Sequence, residues 1–286
     1  MKTKQWIKLT FLALFASFIF NSCSEEELIS PEENITIDQP TYSVRPDFAT
    51  LDTRPADVIA NFQVTGNNAT PVKLNYSAAK GGKYALVIGI SDYAGTSNDL
   101  SYCDDDANDW KALLQGEGYT VTALIDGNAT KTAIEAAINN LVSQSVAGSE
   151  IAFCYSGHGS KGNIISSDLY YISSSWFKTK FSTAKSTKMM FCFDACQIGA
   201  MATSLNATGR VIAVASNKTV YSYDGDASMK NGVFTYYQME GFNQLGYTYL
   251  EPDCDYAITK MKEWAKKARV RVAPSYVDSY TGYFDI

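Results

Sequence analysis

His158 is the only histidine among 286 residues, and it lies between two glycines in the stretch AFCYSGHGSKG. The imidazole is the one side chain whose unperturbed pKa allows it to exchange protons near neutral pH. A lone histidine in a loop is more often a surface or turn residue than a catalyst. A catalytic role for His158 therefore requires a partner residue elsewhere in the sequence.

Cys196, in the stretch DACQIG, is the partner that the sequence offers. The apolar run IAFCY leads into the His158 loop, and the apolar run MMFCFD leads into Cys196. If both runs are parallel strands, their carboxyl ends meet at the sheet edge where active sites of such folds gather. A histidine there can remove the thiol proton, and the thiolate can attack a carbonyl carbon. The glycines beside His158 allow close approach of a substrate, and the N–H of Gly159 is available to stabilise an oxyanion.

The remaining cysteines fit a nucleophilic role less well. Cys154 and Cys192 lie inside apolar runs, which predicts buried, inert thiols. Cys254 stands between two aspartates, whose charges would raise its pKa. Apart from Cys23 there are five cysteines, an odd number, so at least one thiol is free. Their spacing matches no metal-binding pattern, and the sequence predicts neither a metal nor another cofactor.

The apolar pattern also predicts the elements that position these residues. Continuous apolar runs predict strands buried on both faces in KYALVIGI, YTVTALID, SEIAFCY, KMMFCFD and RVIAVAS. Helical spacing predicts helices in DANDWKALLQGEG, NATKTAIEAAINNLVSQSV (with Thr130 as its cap), VFTYYQMEGFNQL and DYAITKMKEWAKKA. Alternating strands and helices predict an α/β domain with a mainly parallel central sheet and helices on both faces.

The first 22 residues have the pattern of a signal peptide, with a basic start, a short apolar run and the sequence NSC. Cys23 stands where a bacterial lipoprotein is cleaved and lipidated. This predicts an exported cell-envelope protein, on the outer membrane surface or facing the periplasm, that contacts the membrane only through a lipid anchor. An ordinary cleaved signal peptide is the alternative.

Residues 23–80 are interpreted as a lipid tether and an extended N-terminal segment, with strand-like pieces such as NITI and VIANFQV. Packing on the main domain and a disordered stalk both remain open. The formal net charge is −6, and removal of residues 1–22, with three lysines and no acidic residue, takes it to −9. Such a charge argues against nucleic acid as a partner.

The motifs CYSGHG and CFDACQIG resemble the histidine and cysteine motifs of caspase-like cysteine peptidases, and specifically those of the metacaspase branch. Two further stretches, LSYCDDDANDW and NGVFTYYQMEGF, are similar to family motifs in the same order along the chain. The resemblance implies a caspase-like three-layer α/β sandwich over residues 81–286. It also implies that His158 is the general base, that Cys196 is the nucleophile, and that the amides of Gly159 and Cys196 form an oxyanion hole.

The resemblance further implies an S1 pocket lined by Asp106, Asp194, Cys103 and Ser156. Two carboxylates in a partly closed pocket would hold a guanidinium or ammonium group by charge-assisted hydrogen bonds. A neutral or acidic P1 side chain would leave that charge unpaired. The implied function is a cysteine endopeptidase that cleaves polypeptides after Arg or Lys. The alternative for Asp106 is simple compensation of a helix N-terminus.

Two departures from the family pattern limit these expectations. Gln197-Ile198-Gly199 stands where the family has His-Ser-Gly, which leaves the detail of this loop open. The stretch after the histidine motif contains one acid, Asp168, where eukaryotic metacaspases have an acidic calcium site. The sequence therefore does not predict calcium activation, and DGDAS (residues 224–228) is interpreted as a plain turn.

Two other functions remain open: a catalytically silent caspase-like binding module at the cell surface, and a peptidase of the same class with a non-basic preference at P1. If the specificity is basic, self-cleavage is a further hypothesis, and the candidate sites are Lys80, Lys83, Lys178, Lys180 and Lys185. The segment from Ser24 to Lys80 could also cover the active site.

Overall fold

The computed structural model describes residues 39–63 and 81–286, and the predicted signal peptide and Cys23 lie outside these ranges. The strands are β1 (Ser43–Arg45), β2 (Lys83–Gly89), β3 (Thr120–Ile125), β4 (Glu150–Ser156), β5 (Gly159–Ser160), β6 (Asn163–Ile165), β7 (Tyr171–Ser173), β8 (Lys188–Asp194), β9 (Arg210–Val214), β10 (Ser222–Asp224) and β11 (Ser275–Asp278). The α-helices are α1 (Phe48–Leu51), α2 (Ala56–Gln63), α3 (Cys103–Gly116), α4 (Lys131–Gln144), α5 (Ser174–Phe181), α6 (Ala200–Leu205), α7 (Val233–Asn243) and α8 (Leu250–Ala268).

A central sheet contains all five of the predicted strands, in the spatial order β11-β9-β8-β4-β2-β3. The strands from β9 to β3 are parallel to their neighbours, and β11 runs antiparallel at the edge. The strand β11 was not predicted, because it follows Pro274 and its half-exposed residues do not form an apolar run. Two small antiparallel sheets lie outside the central one: β5-β6-β7 and β1-β10.

Alternate residues of each central strand enter two separate hydrophobic clusters, one on each face of the sheet. In β2, Leu86 and Ile88 pack in the cluster that contains apolar side chains of α4, α5 and α6. Ala85 and Val87 pack in the cluster that contains those of α3, α7 and α8. Helices therefore cover both faces, and the predicted three-layer α/β sandwich is confirmed. None of the helices in the described ranges is both long and apolar enough to cross a membrane.

Some local predictions need correction. VIANFQV, predicted as strand-like, lies largely in α2, whose start is marked by Pro55 and by an acidic residue, Asp57, in its first turn. Two helices begin earlier than predicted, α3 at Cys103 and α8 at Leu250, because their first turns accommodate several acidic residues. The predicted cap of α4 is confirmed, since the side chain of Thr130 accepts a hydrogen bond from the N–H of Ala133.

The register of β4 and β8 explains how two distant loops reach one place. Ser156 and Asp194 form the last residue pair of these two strands, at their carboxyl ends. His158 comes two residues after Ser156, and Cys196 comes two residues after Asp194. Gly89 at the end of β2 pairs with Ser156 as well. A Cβ atom on residue 89 would overlap the carbonyl oxygen of Cys103, so this glycine lets the first turn of α3 close against the sheet edge.

Asp253, in α8, is fully buried, and neither of its carboxyl oxygens has a hydrogen bond among the described residues. Burial raises its pKa from the ordinary value to about 9. The folded protein therefore keeps a proton at neutral pH that the unfolded chain releases, so this residue makes stability fall as pH rises from about 4 to about 9.

We expect Asp253→Asn to be more stable than the wild type at about pH 8. In the wild type Asp253 should make the free energy of unfolding fall by about 1.4 kcal/mol for each unit of pH, and the variant should lack this contribution. Urea unfolding at about pH 6 and about pH 8 measures this slope. Asp255→Asn, an exposed position of the same helix, is the matched control. An unchanged slope in Asp253→Asn would contradict the assignment of a buried, protonated carboxyl.

Candidate active site

The ring of His158 is buried between two aromatic side chains. Its centroid lies 4.7 Å from that of Tyr93 and 5.5 Å from that of Phe48. The hydroxyls of two tyrosines fix the backbone of the loop: the N–H of His158 donates to Tyr93 Oη at 2.8 Å, and Tyr155 Oη donates to the carbonyl of His158 at 2.8 Å. The strand end and these tyrosines together hold the ring in one position.

A single hydrogen bond sets the tautomer of His158. Its Nε2 lies 2.7 Å from the carbonyl oxygen of Asn98, which can only accept, so Nε2 carries the proton. Nδ1 is then left as the basic nitrogen, and it has no hydrogen bond of good geometry among the described residues. Burial lowers the pKa of the ring to about 4, against the opposing effect of the Asn98 and Pro46 carbonyls. In this state the imidazole is neutral.

Cys196 lies directly beside the His158 loop. A Cβ atom on Gly159 would overlap the carbonyl oxygen of Cys196, so the two backbones approach as closely as a glycine permits. The thiol is fully buried, it accepts a hydrogen bond from the N–H of Ser222 at 3.1 Å, and burial raises its pKa to about 12. Cys196 is therefore a protonated thiol in this state.

The N–H of Gly159 takes no part in the ladder between β5 and β6. Gly159 faces Ile164 in this antiparallel pair, and the N–H of Ile165 donates to the carbonyl of His158. That pattern makes Gly159 and Ile164 a non-hydrogen-bonded pair, in which the N–H groups point away from the partner strand. The amide of Gly159 is thus directed away from β6, next to Cys196.

A segment far away in the sequence covers both residues. The strand β1 pairs antiparallel with β10, with Arg45 opposite Ser222 and Val44 opposite Tyr223. The carbonyl oxygen of Arg45 lies 2.5 Å from Sγ of Cys196. The carbonyl group of Arg45 therefore faces the thiol of Cys196, and the carbonyl group of Pro46 faces the imidazole of His158.

The side chain of Arg45 is fully buried and is surrounded by three aspartates. Its Nε and Nη2 both contact Oδ1 of Asp224, at 2.7 and 2.6 Å. Nη2 also lies 3.0 Å from Oδ2 of Asp106, and Nη1 lies 3.1 Å from Oδ1 of Asp194. Nη1 donates in addition to Oγ of Ser156 at 3.1 Å. All of the guanidinium nitrogens thus have anionic partners at short range.

Neutral donors hold the carboxylates in place. Oδ1 of Asp106 accepts hydrogen bonds from Asn231 Nδ2 at 3.0 Å and from the N–H of Gly232 at 2.9 Å. Oδ2 of Asp194 accepts from the N–H and from the hydroxyl of Thr235, each at 3.1 Å. The hydroxyl of Ser222 donates to the other oxygen of Asp194. These bonds orient the carboxylates independently of the guanidinium.

Gly232 supplies the space that the guanidinium occupies. A Cβ atom at this position would overlap Oδ2 of Asp194 and would lie 2.5 Å from Nη2 of Arg45. Burial raises the pKa of Asp106 to about 7, and Arg45 opposes this rise. Because a cation in the pocket favours the ionised form of Asp106, the pocket binds cations more strongly as pH rises through this range.

The structure thus brings together most of the side chains that the sequence singled out. Asp106, Asp194 and Ser156 contact one guanidinium, and the amide of Gly159 lies beside Cys196. Cys103 is buried as the first residue of α3, and no hydrogen bond between its thiol and the guanidinium is seen.

Sequence reasoning missed Arg45 and Asp224. Asp224 begins the stretch DGDAS, and the turn predicted there exists, because the Asp226 side chain accepts from the N–H of Ser228. Asp224 itself belongs to β10 and is buried. The sequence feature that could have indicated this part of the pocket is the NGVFTYYQMEGF motif. It supplies Asn231, Gly232 and Thr235, which donate hydrogen bonds to the pocket carboxylates.

A family model described as the caspase domain matches residues 82–274, which is more than half of the chain. The chain therefore belongs to the caspase domain family. Membership of this family supports a function like that of a cysteine peptidase. A search of curated protein sequences finds no match.

The fold is similar to that of solved structures. One is the crystal structure of protein GSU0716 from Geobacter sulfurreducens, which superposes with a TM-score of 0.55 over 70% of this chain and 94% of that chain. The sequence identity is 15%, so this similarity concerns the fold alone.

Proposed function

We propose that this protein is a cysteine endopeptidase of the caspase family that hydrolyses peptide bonds after basic residues, with arginine preferred at P1. The observation that carries the proposal is the complete coordination of a guanidinium by Asp106, Asp194 and Asp224 next to Cys196. A buried charge is tolerated only with such partners, so a pocket of three aspartates is suited to a cationic side chain.

In this proposal Nδ1 of His158 accepts the proton of the Cys196 thiol as the sulfur attacks the carbonyl carbon of the P1 residue. The proton then passes to the leaving nitrogen, and water hydrolyses the thioester. The tautomer fixed by Asn98 supports this role, because it leaves Nδ1 free to accept. The amides of Gly159 and Cys196 would stabilise the oxyanion, and the free N–H direction of Gly159 supports this assignment.

The place of the P1 residue follows from the same contacts. Arg45 has its carbonyl at Cys196 and its side chain among the carboxylates, as a substrate residue would. Ser156 would contribute one wall of the S1 pocket, since its hydroxyl lies between the guanidinium and Asp106. Cys103 would contribute to the wall behind it.

The finer assignments of family branch and location also belong to this proposal. We propose a member of the metacaspase branch, on the strength of the motifs around His158 and Cys196. We further propose that residues 1–22 are a signal peptide and that Cys23 carries a lipid anchor in a bacterial cell envelope. Metabolic labelling with a fatty acid, compared between the wild type and Cys23→Ala, tests the anchor.

A P1 profile tests the proposed activity. Fluorogenic peptides that differ only in P1 (Arg, Lys, Asn, Asp) are assayed under reducing conditions with the wild type and with Arg45→Ala, because Arg45 of the chain itself fills the pocket. We expect the highest kcat/KM for Arg, a lower one for Lys and none measurable for Asn and Asp. Cys196→Ala is the negative control. Turnover of none of the four peptides by either form would argue for a silent binding module instead.

A further inference from the structure

We propose that residues 41–48 are an internal, cleavage-resistant substrate mimic that keeps the peptidase latent until this segment is displaced or removed. The inference rests on the proposed function and goes beyond it, because it assigns an inhibitory role to a named segment of the same chain. Four independent features of the segment support it: its backbone pairing, its side-chain contacts, its position over His158, and the proline that follows Arg45.

The backbone of the segment is bound as an extended peptide. The three residues of β1 form an antiparallel ladder with β10, in which Arg45 lies opposite Ser222. The N–H of Ser222 donates a hydrogen bond to the thiol of Cys196, so the ladder begins next to the proposed nucleophile. Addition of a strand to a sheet edge is a general way to bind an extended peptide, since main-chain hydrogen bonds supply affinity for any sequence. The pairing places Arg45 at P1, Val44 at P2 and Ser43 at P3.

Arg45 is not the only side chain of the segment that makes contacts on the P side of the Arg45–Pro46 bond. Arg45 is fully buried, whereas Val44 is 51% exposed. Tyr42, at P4, packs edge-on against Tyr223 and Trp264, with centroid distances of 5.6 and 5.5 Å. The hydroxyl of Thr41 donates to Asp226 at 3.0 Å. The segment is therefore held by specific contacts on the P side of the Arg45–Pro46 bond.

The residues after the bond are held as well. Asp47 caps the short helix α1, accepting from the N–H of Ala49 at 3.1 Å. The first residue of that helix, Phe48, is buried against the ring of His158 and against Tyr171. A leaving peptide anchored by Phe48 would stay over the imidazole, which blocks the entry of water and favours resealing of the bond.

Pro46 makes the bond a poor substrate. Cleavage requires that His158 deliver a proton to the lone pair of the leaving nitrogen, and in Arg45–Pro46 this nitrogen is part of the pyrrolidine ring, in which a carbon atom takes the place of the N–H hydrogen and crowds the approach. The only other arginine within residues 1–82, Arg54, is also followed by proline, so both arginines of this part of the chain are protected in the same way.

Occupation of the site also accounts for the chemical state of the two catalytic candidates. With the segment in place, burial makes the imidazole a weak base and the thiol a weak acid. Displacement of the segment would return water to both groups. The latent form is thus protected by exclusion of substrate and by suppression of thiolate formation.

Two measurements on the full chain test the inference, and one of them does not depend on catalysis. The first is the rate of Cys196 alkylation by iodoacetamide, read by mass spectrometry of the peptide that contains it. The second is the hydrolysis of an Arg fluorogenic peptide. We expect Arg45→Ala to increase both rates at least tenfold over the wild type. Arg271→Ala, at an exposed arginine outside the segment, is the control and should leave both rates unchanged.

A peptide supplied in trans separates inhibition from misfolding. The synthetic octapeptide TYSVRPDF, which has the sequence of residues 41–48, should restore slow alkylation and inhibit hydrolysis in Arg45→Ala, whereas TYSVAPDF should not. A misfolded variant would respond to neither peptide, and in that case Pro46→Ala, which keeps Arg45 and its contacts, provides the test.

A second variant tests the role of the proline. Pro46→Ala should convert the segment into a substrate, so that the chain is cut after Arg45 and a new N-terminus appears at residue 46. The double variant Pro46→Ala/Cys196→Ala should remain intact. An uncut Pro46→Ala chain with active Arg hydrolysis would overturn the assignment of Pro46 as the protecting residue.

The outcomes for latency and for peptidase activity are distinguishable. Equal alkylation and equal hydrolysis in the wild type and Arg45→Ala would overturn the latency while the peptidase stands. Faster alkylation without hydrolysis of any peptide would support the cover over Cys196 and overturn the proposed peptidase. Slow alkylation in every variant, with no response to TYSVRPDF, would overturn the inference.

Discussion

Replacement of His158 by alanine, in a background that carries Arg45→Ala, is expected to lower kcat for an Arg peptide by about 10³-fold with little change in KM. The reason is that no other histidine exists in the chain to accept the thiol proton. Without the base, the thiol reacts only in the small fraction that ionises spontaneously. Steady-state hydrolysis near neutral pH measures the effect, because the uncovered imidazole is neutral in that range and can act as a base.

A conservative variant separates the proton-transfer role from a structural one. His158→Gln can still donate a hydrogen bond to the Asn98 carbonyl, but it cannot exchange a proton near neutral pH. We expect it to lose as much activity as His158→Ala. Recovery of most of the activity in His158→Gln would mean that the ring only supports the loop, and the dyad would have to be abandoned.

The two cysteines on and near β8 give a second matched comparison. Cys196→Ala should abolish hydrolysis, whereas Cys192→Ala, four residues earlier and buried in the core, should retain it. The difference in activity between the two variants tests which cysteine is the nucleophile, because the same substitution is made at both positions. A fully active Cys196→Ala would exclude this residue as the nucleophile, whatever the stability of the variant.

The positions of His158 and Cys196 at one sheet edge could be predicted from the sequence because local patterns determine them. The apolar runs that end at Ser156 and Asp194 form neighbouring parallel strands, and their register places the next residues at one edge. His158 and Cys196 follow each strand end by the same number of residues. The strand pattern and the carboxyl-edge rule were enough to predict that both residues lie at this edge, whereas their proposed roles as base and nucleophile rested also on the family resemblance.

Arg45 could not be predicted in the same way, because its burial depends on contacts with residues 61 to 179 positions away. Arg45 and Asp224 are charged residues in a polar local context, and such residues are expected at the surface when only the sequence is known. β1 and β10 are three residues long and pair with each other across a long separation in the sequence. Neither has an apolar period that would indicate a strand.

The same contacts explain why the pocket should be selective. Three aspartates close to one another are costly to bury unless a cation balances them. Arg45 supplies that charge in this structure, and a substrate side chain would have to supply it in its place. In the proposed function, the strength of binding at P1 and the strength of self-inhibition are therefore linked, since both would depend on the same carboxylates.

The pocket predicts a specific difference between arginine and lysine. In a lysine side chain the ammonium nitrogen takes the place of the guanidinium carbon, one bond short of the Nη atoms. It can therefore approach Asp224, whose Oδ1 binds Nε and Nη2, but it falls short of Asp106, which contacts only Nη2. Asp106 should act as the acid that favours arginine over lysine.

We expect Asp106→Asn to lower kcat/KM for an Arg peptide about 10²-fold and for a Lys peptide much less, because a charge-assisted hydrogen bond of a buried guanidinium contributes about 1.5–3 kcal/mol. Asp224→Asn, the matched variant, should lower both by similar factors, since both cations reach it. The two variants are compared in the Arg45→Ala background with Arg and Lys fluorogenic peptides at one common pH. If the ratio of kcat/KM for Arg to that for Lys falls in Asp224→Asn and stays constant in Asp106→Asn, then Asp224 and not Asp106 distinguishes the two side chains. That result would contradict this description of the pocket.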